Sequence, residues 1–261
     1  MKPGISEFSY GYAVTEELLN FHLKAVPRIG APTLPSLTAE STRGYDLKIR
    51  FVHSMLFLQF KLSDCMVGGK VLECANQGAV PPFHRFYIHS RKQSRQHQLL
   101  LQLESVQSSI PKLVFYVAPQ FHKPGELDKF YARKQVANRS VFVPPSLIGA
   151  FYDHDSHTVA FKSPSGPLLI NSEPRTVDEA VGVESLRRII AVAGRDRASI
   201  GDSGAVLDLA RVLNSIVLEE GVHPDIDVAS STLARDEPLA VVGHLARNYF
   251  WCEAVAIGTV Q

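Results

Sequence analysis

Neither sign of charge dominates this chain. Its 27 Lys and Arg stand against 26 Asp and Glu, a formal net charge of +1. No overall basic excess marks it for nucleic acid, and a phosphate-binding surface has to be local. Cysteine is scarce: Cys65, Cys74 and Cys252 are odd in number and far apart. That excludes a disulfide framework and a paired-cysteine zinc site, and leaves small buried thiols in a reducing compartment. A run of about 18 apolar residues is missing, since even the apolar stretch after Pro238 is broken by His244, Arg247, Asn248 and Glu253. No membrane partner is therefore expected. Between Met1 and Leu18 the residues Glu7, Glu16 and Glu17 stand where a signal peptide needs an apolar region, and the expected location is intracellular, in the cytoplasm. Gly-x-Ser-x-Gly is also missing, which counts against a small-molecule hydrolase. Gly201-Asp202-Ser203-Gly204 reads as a loop whose Asp202 or Ser203 caps the following helix.

What is present is a globular composition, 45% apolar and 20% charged over 261 residues, enough for one large domain or a core with an appendage. A first helix is expected from Ile5 to Lys24, with Ser6 as N-cap and Pro27 as stop. Helical spacing puts Glu7, Gly11, Val14 and Leu18 on one stripe, beside Phe8, Tyr12, Thr15 and Leu19. Glu16 falls opposite Leu18 and Glu17 on the flank, so Glu7 is the acid expected to face the body of the domain. Residues 28–43 show neither period and read as a loop. Strands are expected at His84 to Ser90, Lys112 to Pro119 and Ser140 to Pro144, with helices at Gln93 to Val106 and Glu126 to Val136. A further hairpin spans His157 to Asn171 around Pro164-Ser165-Gly166-Pro167. This alternation argues for an α/β sandwich with a mixed sheet over residues 1–172. Helices at Val183 to Ala193, Gly204 to Glu219 and Pro238 to Ala256 then form a helical extension, 173–261. It is expected to pack as a cap, because no long linker precedes it.

The chemistry concentrates between Gly44 and Asp64, which reads as two strands joined near His53. In the second strand Leu56, Leu58, Phe60 and Leu62 alternate with Phe57, Gln59 and Lys61. A polar pair inside so apolar a strand needs a partner or a purpose. Registers that set Asp46 across from Gln59 or Lys61 put all three on one face. Phosphodiester cleavage needs a metal held by oxygens, an activated water and positive charge for the transition state. Asp46 can bridge hard cations, Gln59 adds a neutral oxygen, Lys61 can orient water or neutralise phosphate, and Glu7 completes the acidic side. The basic stretch lies further on: Arg85, Arg91, Lys92 and Arg95, with His84, His89 and His97 and no acid between, at a strand-to-helix junction suited to phosphates.

Glu7 on a helix, Asp46 on a strand, Gln59-Phe60-Lys61 on the next strand and the polar and basic segment from Arg91 to His97 together resemble the PD-(D/E)xK, or restriction-endonuclease-like, nuclease superfamily. The resemblance covers roughly Ser6 to Val143 in element order and leaves the helical extension out. It departs from the common pattern in two places. No Pro precedes Asp46, and Gln59 stands where a second acid is usual, as in subgroups resembling methyl-directed restriction enzymes and phage-defence effector nucleases. The resemblance implies a restriction-endonuclease-like fold and a Mg²⁺- or Mn²⁺-dependent nuclease acting on DNA, double-stranded DNA first. Its site would be Asp46, Gln59, Lys61 and Glu7, the metal would sit on Asp46, Gln59 and Glu7, and the nucleic acid on Arg85, Arg91, Lys92, Arg95 and His97. The subgroup implies a role in host defence, with a protein partner or a second copy of the chain as a further expectation. The competing expectation is a catalytically inactive subunit of the same fold that binds nucleic acid or serves assembly. In that case the arginines matter and Asp46 and Lys61 do not.

Overall fold

Alternating short strands and amphipathic helices give an α/β protein. The structure, a computed structural model, describes residues 1–23, 54–68, 81–89, 96–105, 112–151, 157–170, 175–177, 180–193, 203–219, 223–225, 228, 236–250 and 253–257. The contacts divide the chain into two units. Unit 1 is Met1–Lys24, Phe60–His97 and Tyr116–Arg187, and unit 2 is Ala25–Gln59, Gln98–Phe115 and Arg188–Gln261. Among the described residues no helix is long and apolar enough to cross a membrane.

Unit 1 begins with α1 (Glu7–Glu17), which Ser6 caps by accepting from Ser9 N–H at 3.0 Å. The helix continues as a π turn over Leu18–His22. Its inward side is Tyr10, Gly11, Ala13, Val14, Thr15 and Glu17. The stripe of Gly11, Val14 and Leu18 is buried as expected, but Glu7 at its head is exposed. The buried acid is Glu17, 1% exposed, whose carboxylate accepts from the backbone N–H of Val136 at 3.0 Å and Ala137 at 2.9 Å. Those groups open a 3₁₀ turn (Ala137–Arg139) and would otherwise lack acceptors. Tyr10 holds the same corner. Its ring meets Phe60 and Phe121 edge-on at 5.9 and 6.0 Å, and its hydroxyl donates to Ser140 Oγ at 2.8 Å.

The body of unit 1 is a five-stranded antiparallel sheet ordered β2 (Asp64–Met66), β3 (Phe83–Ile88), β6 (His157–Phe161), β7 (Leu168–Ile170) and β8 (Arg175–Val177). The expected hairpin from His157 to Asn171 is present as β6 and β7. Phe83, Ala160 and Leu169 pack on one patch with Met66 beside them. The second half of β4 (Lys112–Pro119) pairs antiparallel with β5 (Ser140–Val143). Between them lies α3 (Pro124–Ala132), a surface helix with no buried residue. A short α4 (Pro145–Ile148) follows β5, and α5 (Val183–Ala193) begins in unit 1.

Unit 2 carries β1 (Ser54–Phe60) up to Gln59, the first half of β4 and β9 (Glu253–Ile257), neighbours in the order β4, β1, β9. β1 and β9 are antiparallel, with Phe57 opposite Ala254. Leu56, Phe57 and Leu58 are all buried, so β1 has no solvent face. α2 (Gln96–Ser105) buries Leu99, Leu100 and Leu103. α6 (Ser203–Glu219) and α7 (Pro238–Tyr249) pack on each other through Val206, Leu209, Leu213 and Val217 on one and Val241, Val242 and Leu245 on the other. The last helix expected from sequence runs to Ala256. It ends instead at Tyr249, and residues from Glu253 form β9. Val255 and Ile257 are β-branched, and pairing with β1 outweighs the helical pattern upstream.

Candidate active site

Lys61 leaves β1 at the point where the strand ends, its main-chain N–H donating to Val117 O at 2.9 Å. That bond fixes the backbone, and the side chain runs to α2, where Nζ donates to Gln96 Oε1 at 3.0 Å. Burial pushes the Lys61 ammonium below the ordinary lysine range, and the negative charge of Glu7 opposes that shift. Glu7 is thus electrostatically coupled to Lys61 although its side chain is exposed. It sits in the first turn of α1, where a carboxylate also complements the helix dipole. The approach of α1 depends on Gly11. A Cβ there would stand 2.9 Å from Cδ2 of Phe60, the residue before Lys61.

Gln96 is 6% exposed, and the next residue anchors it. His97 meets the Tyr116 hydroxyl through Nδ1 at 3.1 Å and the Gly149 carbonyl through Nε2 at 2.8 Å. Its ring lies 4.9 Å from Phe151. Burial is the main reason that the imidazole is pushed down to about 4, against the Gly149 contact and with His157 adding to the effect. His97, expected on a phosphate-binding surface, is therefore an interior neutral side chain that fixes the start of α2. A residue with both ring nitrogens engaged inside the unit has no donor left for a phosphate.

Arg85 is half-buried on β3. Its Nε lies 3.9 Å from Asp64 Oδ2 on the paired strand, and its guanidinium stands 5.2 Å from the Tyr87 ring. A carboxylate thus balances part of the expected basic stretch. His84 is withdrawn as well, its imidazole pushed to about 4 by burial and by the neighbouring His122. Gln59 is 7% exposed within β1. Asp46, Arg91, Lys92 and Arg95 lie outside the described residues, as does the strand expected to carry Asp46.

The structure brings Glu7 and Lys61 into electrostatic reach and adds Gln96, which sequence reasoning passed over. Gln96 falls inside the segment from Arg91 to His97, but its basic residues drew the attention. A glutamine opening a helix is a signal only once a lysine is known to face it. Among the described residues no three His, Cys, Asp or Glu side chains gather as a group able to hold a metal ion. Chemically, the assembled set is a desolvated ammonium held by an amide oxygen with a carboxylate charge close by. It can place positive charge against an anion without first reorganising water. No family model, no curated protein and no solved structure matches the chain.

Proposed function

We propose that the chain is a divalent-metal-dependent nuclease that hydrolyses phosphodiester bonds of DNA, built on a restriction-endonuclease-like core of the Gln-x-Lys kind. Lys61 carries this reading: its ammonium is drawn out of water at the end of β1, held by Gln96 at 3.0 Å and coupled to Glu7. Desolvating a lysine is unfavourable, and a carboxylate charge beside it keeps the group protonated for a phosphate to meet. The order of Glu7, Asp46, Gln59-Phe60-Lys61 and a polar helix start supports the same chemistry. Host defence is the setting that the subgroup suggests.

Glu7, Asp46 and Gln59 offer only oxygen donors, the type that Mg²⁺ or Mn²⁺ takes, and are the residues that would hold it. When bound, such a metal polarises the phosphate and lowers the pKa of its water. Lys61 donates to a non-bridging oxygen or to the attacking water, so charge is stabilised where it develops. Gln96 holds Nζ in position beforehand, and Glu7 keeps it charged.

The test is incubation of the purified chain with plasmid and linear DNA in Mg²⁺ or Mn²⁺. Nicking or shortening by the wild type is expected, with none by a folded Lys61→Ala variant. Identical substrate profiles for the two across all conditions overturn the nuclease reading.

A further inference from the structure

α1 and α3 leave an aromatic and basic surface on unit 1 that cleavage itself does not use. Phe8 and Tyr12 stand one helical turn apart on α1, about 6 Å of rise, and are 51% and 45% exposed. Tyr131 on α3 is 41% exposed, and its hydroxyl donates to Glu16, one turn beyond Tyr12. Phe21, 42% exposed, carries the Lys134 ammonium 4.2 Å from its ring centroid. Phe130 is flanked in the same way, with Lys129 and Arg139 at 5.9 and 5.3 Å from its ring.

Large exposed rings are depleted on ordinary protein surfaces, and a cluster of them marks a binding face. The charge beside the rings says what kind. Lys129, Arg133, Lys134 and Arg139 are all exposed, and among the described residues none of them forms an ion pair with an acid. Against them stand Asp128 and Glu16, and Glu16 already accepts from Tyr131. Open ring faces interleaved with unpaired cations match a ligand that presents flat unpaired bases and a phosphate backbone together. A duplex keeps its base faces stacked and offers nothing to the rings.

We propose that this face binds single-stranded DNA, as the unpaired strand of the substrate. The choice of DNA rests on the nuclease reading above, whereas the stacking surface stands without it. Bases stack on Phe8, Tyr12 and Tyr131, and phosphates follow Arg133, Lys134 and Arg139.

Fluorescence anisotropy on the full chain in EDTA, where no cleavage occurs, tests this with labelled oligo-dT, a blunt duplex of equal length and oligo-U. Oligo-dT should bind about tenfold or more tighter than the duplex. Replacing both rings, Phe8→Ala with Tyr12→Ala, should weaken oligo-dT binding about ten- to a hundredfold with the thermal melt unchanged, since both rings are exposed. Arg133→Ala with Lys134→Ala should reduce the slope of log affinity against log salt by about one. Equal binding of duplex and oligo-dT, or no loss in the Phe8/Tyr12 variant, overturns the surface. Binding of oligo-U alone overturns its assignment to DNA. A wild type that binds oligo-dT in this way yet never cleaves leaves the surface standing and removes only the nuclease reading.

Discussion

Lys61 and Gln96 meet through a 3.0 Å hydrogen bond that joins the end of β1 to the first residue of α2. The bond orients the ammonium, and Glu7 decides how firmly it keeps its proton. Burial lowers the Lys61 pKa and Glu7 raises it, so Glu7→Gln should move it lower still. Proton-detected titration of the lysine Cε resonances checks this. A Lys61 resonance that titrates at the same pH in both proteins removes the coupling.

His97 makes the start of α2 sensitive to acid. Its imidazole is pushed from 6.5 to about 4, so the fold holds it neutral while the unfolded chain takes up a proton below 6.5. Its contribution is fully present above pH 6.5 and is lost as pH falls toward 4. The complete shift is worth about 3 kcal/mol. Urea unfolding between pH 4 and 7 should show this slope, and His97→Asn should flatten it while lowering stability throughout.

Glu17 is the buried acid of α1, and its two oxygens satisfy two backbone N–H groups. Glu17→Ala leaves both donors unpaired and should cost about 2–5 kcal/mol. Glu17→Gln keeps one acceptor oxygen and should lose clearly less. Denaturant midpoints for the pair check the ranking, and equal losses would mean that side-chain bulk rather than the N–H bonds matters.

Gly11 shows two opposed terms at one position. Alanine in a helix interior is favoured over glycine by about 1 kcal/mol, but the added Cβ would lie 2.9 Å from the Phe60 ring. Overpacking costs about 1–3 kcal/mol, so Gly11→Ala should destabilise by about 1 kcal/mol net. Because Phe60 directly precedes Lys61, cleavage should fall further than stability does, which parallel unfolding and plasmid-nicking assays can separate.

Much of the element order was legible because apolar periodicity is local. The Lys112–Pro119 strand and the Val183–Ala193 helix match their expected bounds, and β3, β5, β6 and α6 lie within a few residues of theirs. The misses are tertiary. β9 hides behind a helical pattern because only pairing with β1 reveals it, and β2 and β8 are three-residue strands with too little sequence to show a period. At the site, Lys61 was readable as a polar intrusion in an apolar strand. Gln96 was not, because its role comes from a lysine 35 residues away. Glu17 was set aside because helical spacing ranks apolar stripes and does not see the bare N–H groups of a turn on another segment. His97 misled for a similar reason, since a histidine beside arginines looks basic until its burial is known.

The pairing of β1 with β9 also sets an order of events. Ser54 to Leu58 are made early in synthesis, and their neighbours Glu253 to Ile257 follow roughly 200 residues later. Until then the strand leading into Gln59-Phe60-Lys61 has one edge bare. Translation therefore acts as a clock for this protein: a nascent or prematurely released chain holds the chemical motif but not the flanking strand that steadies it.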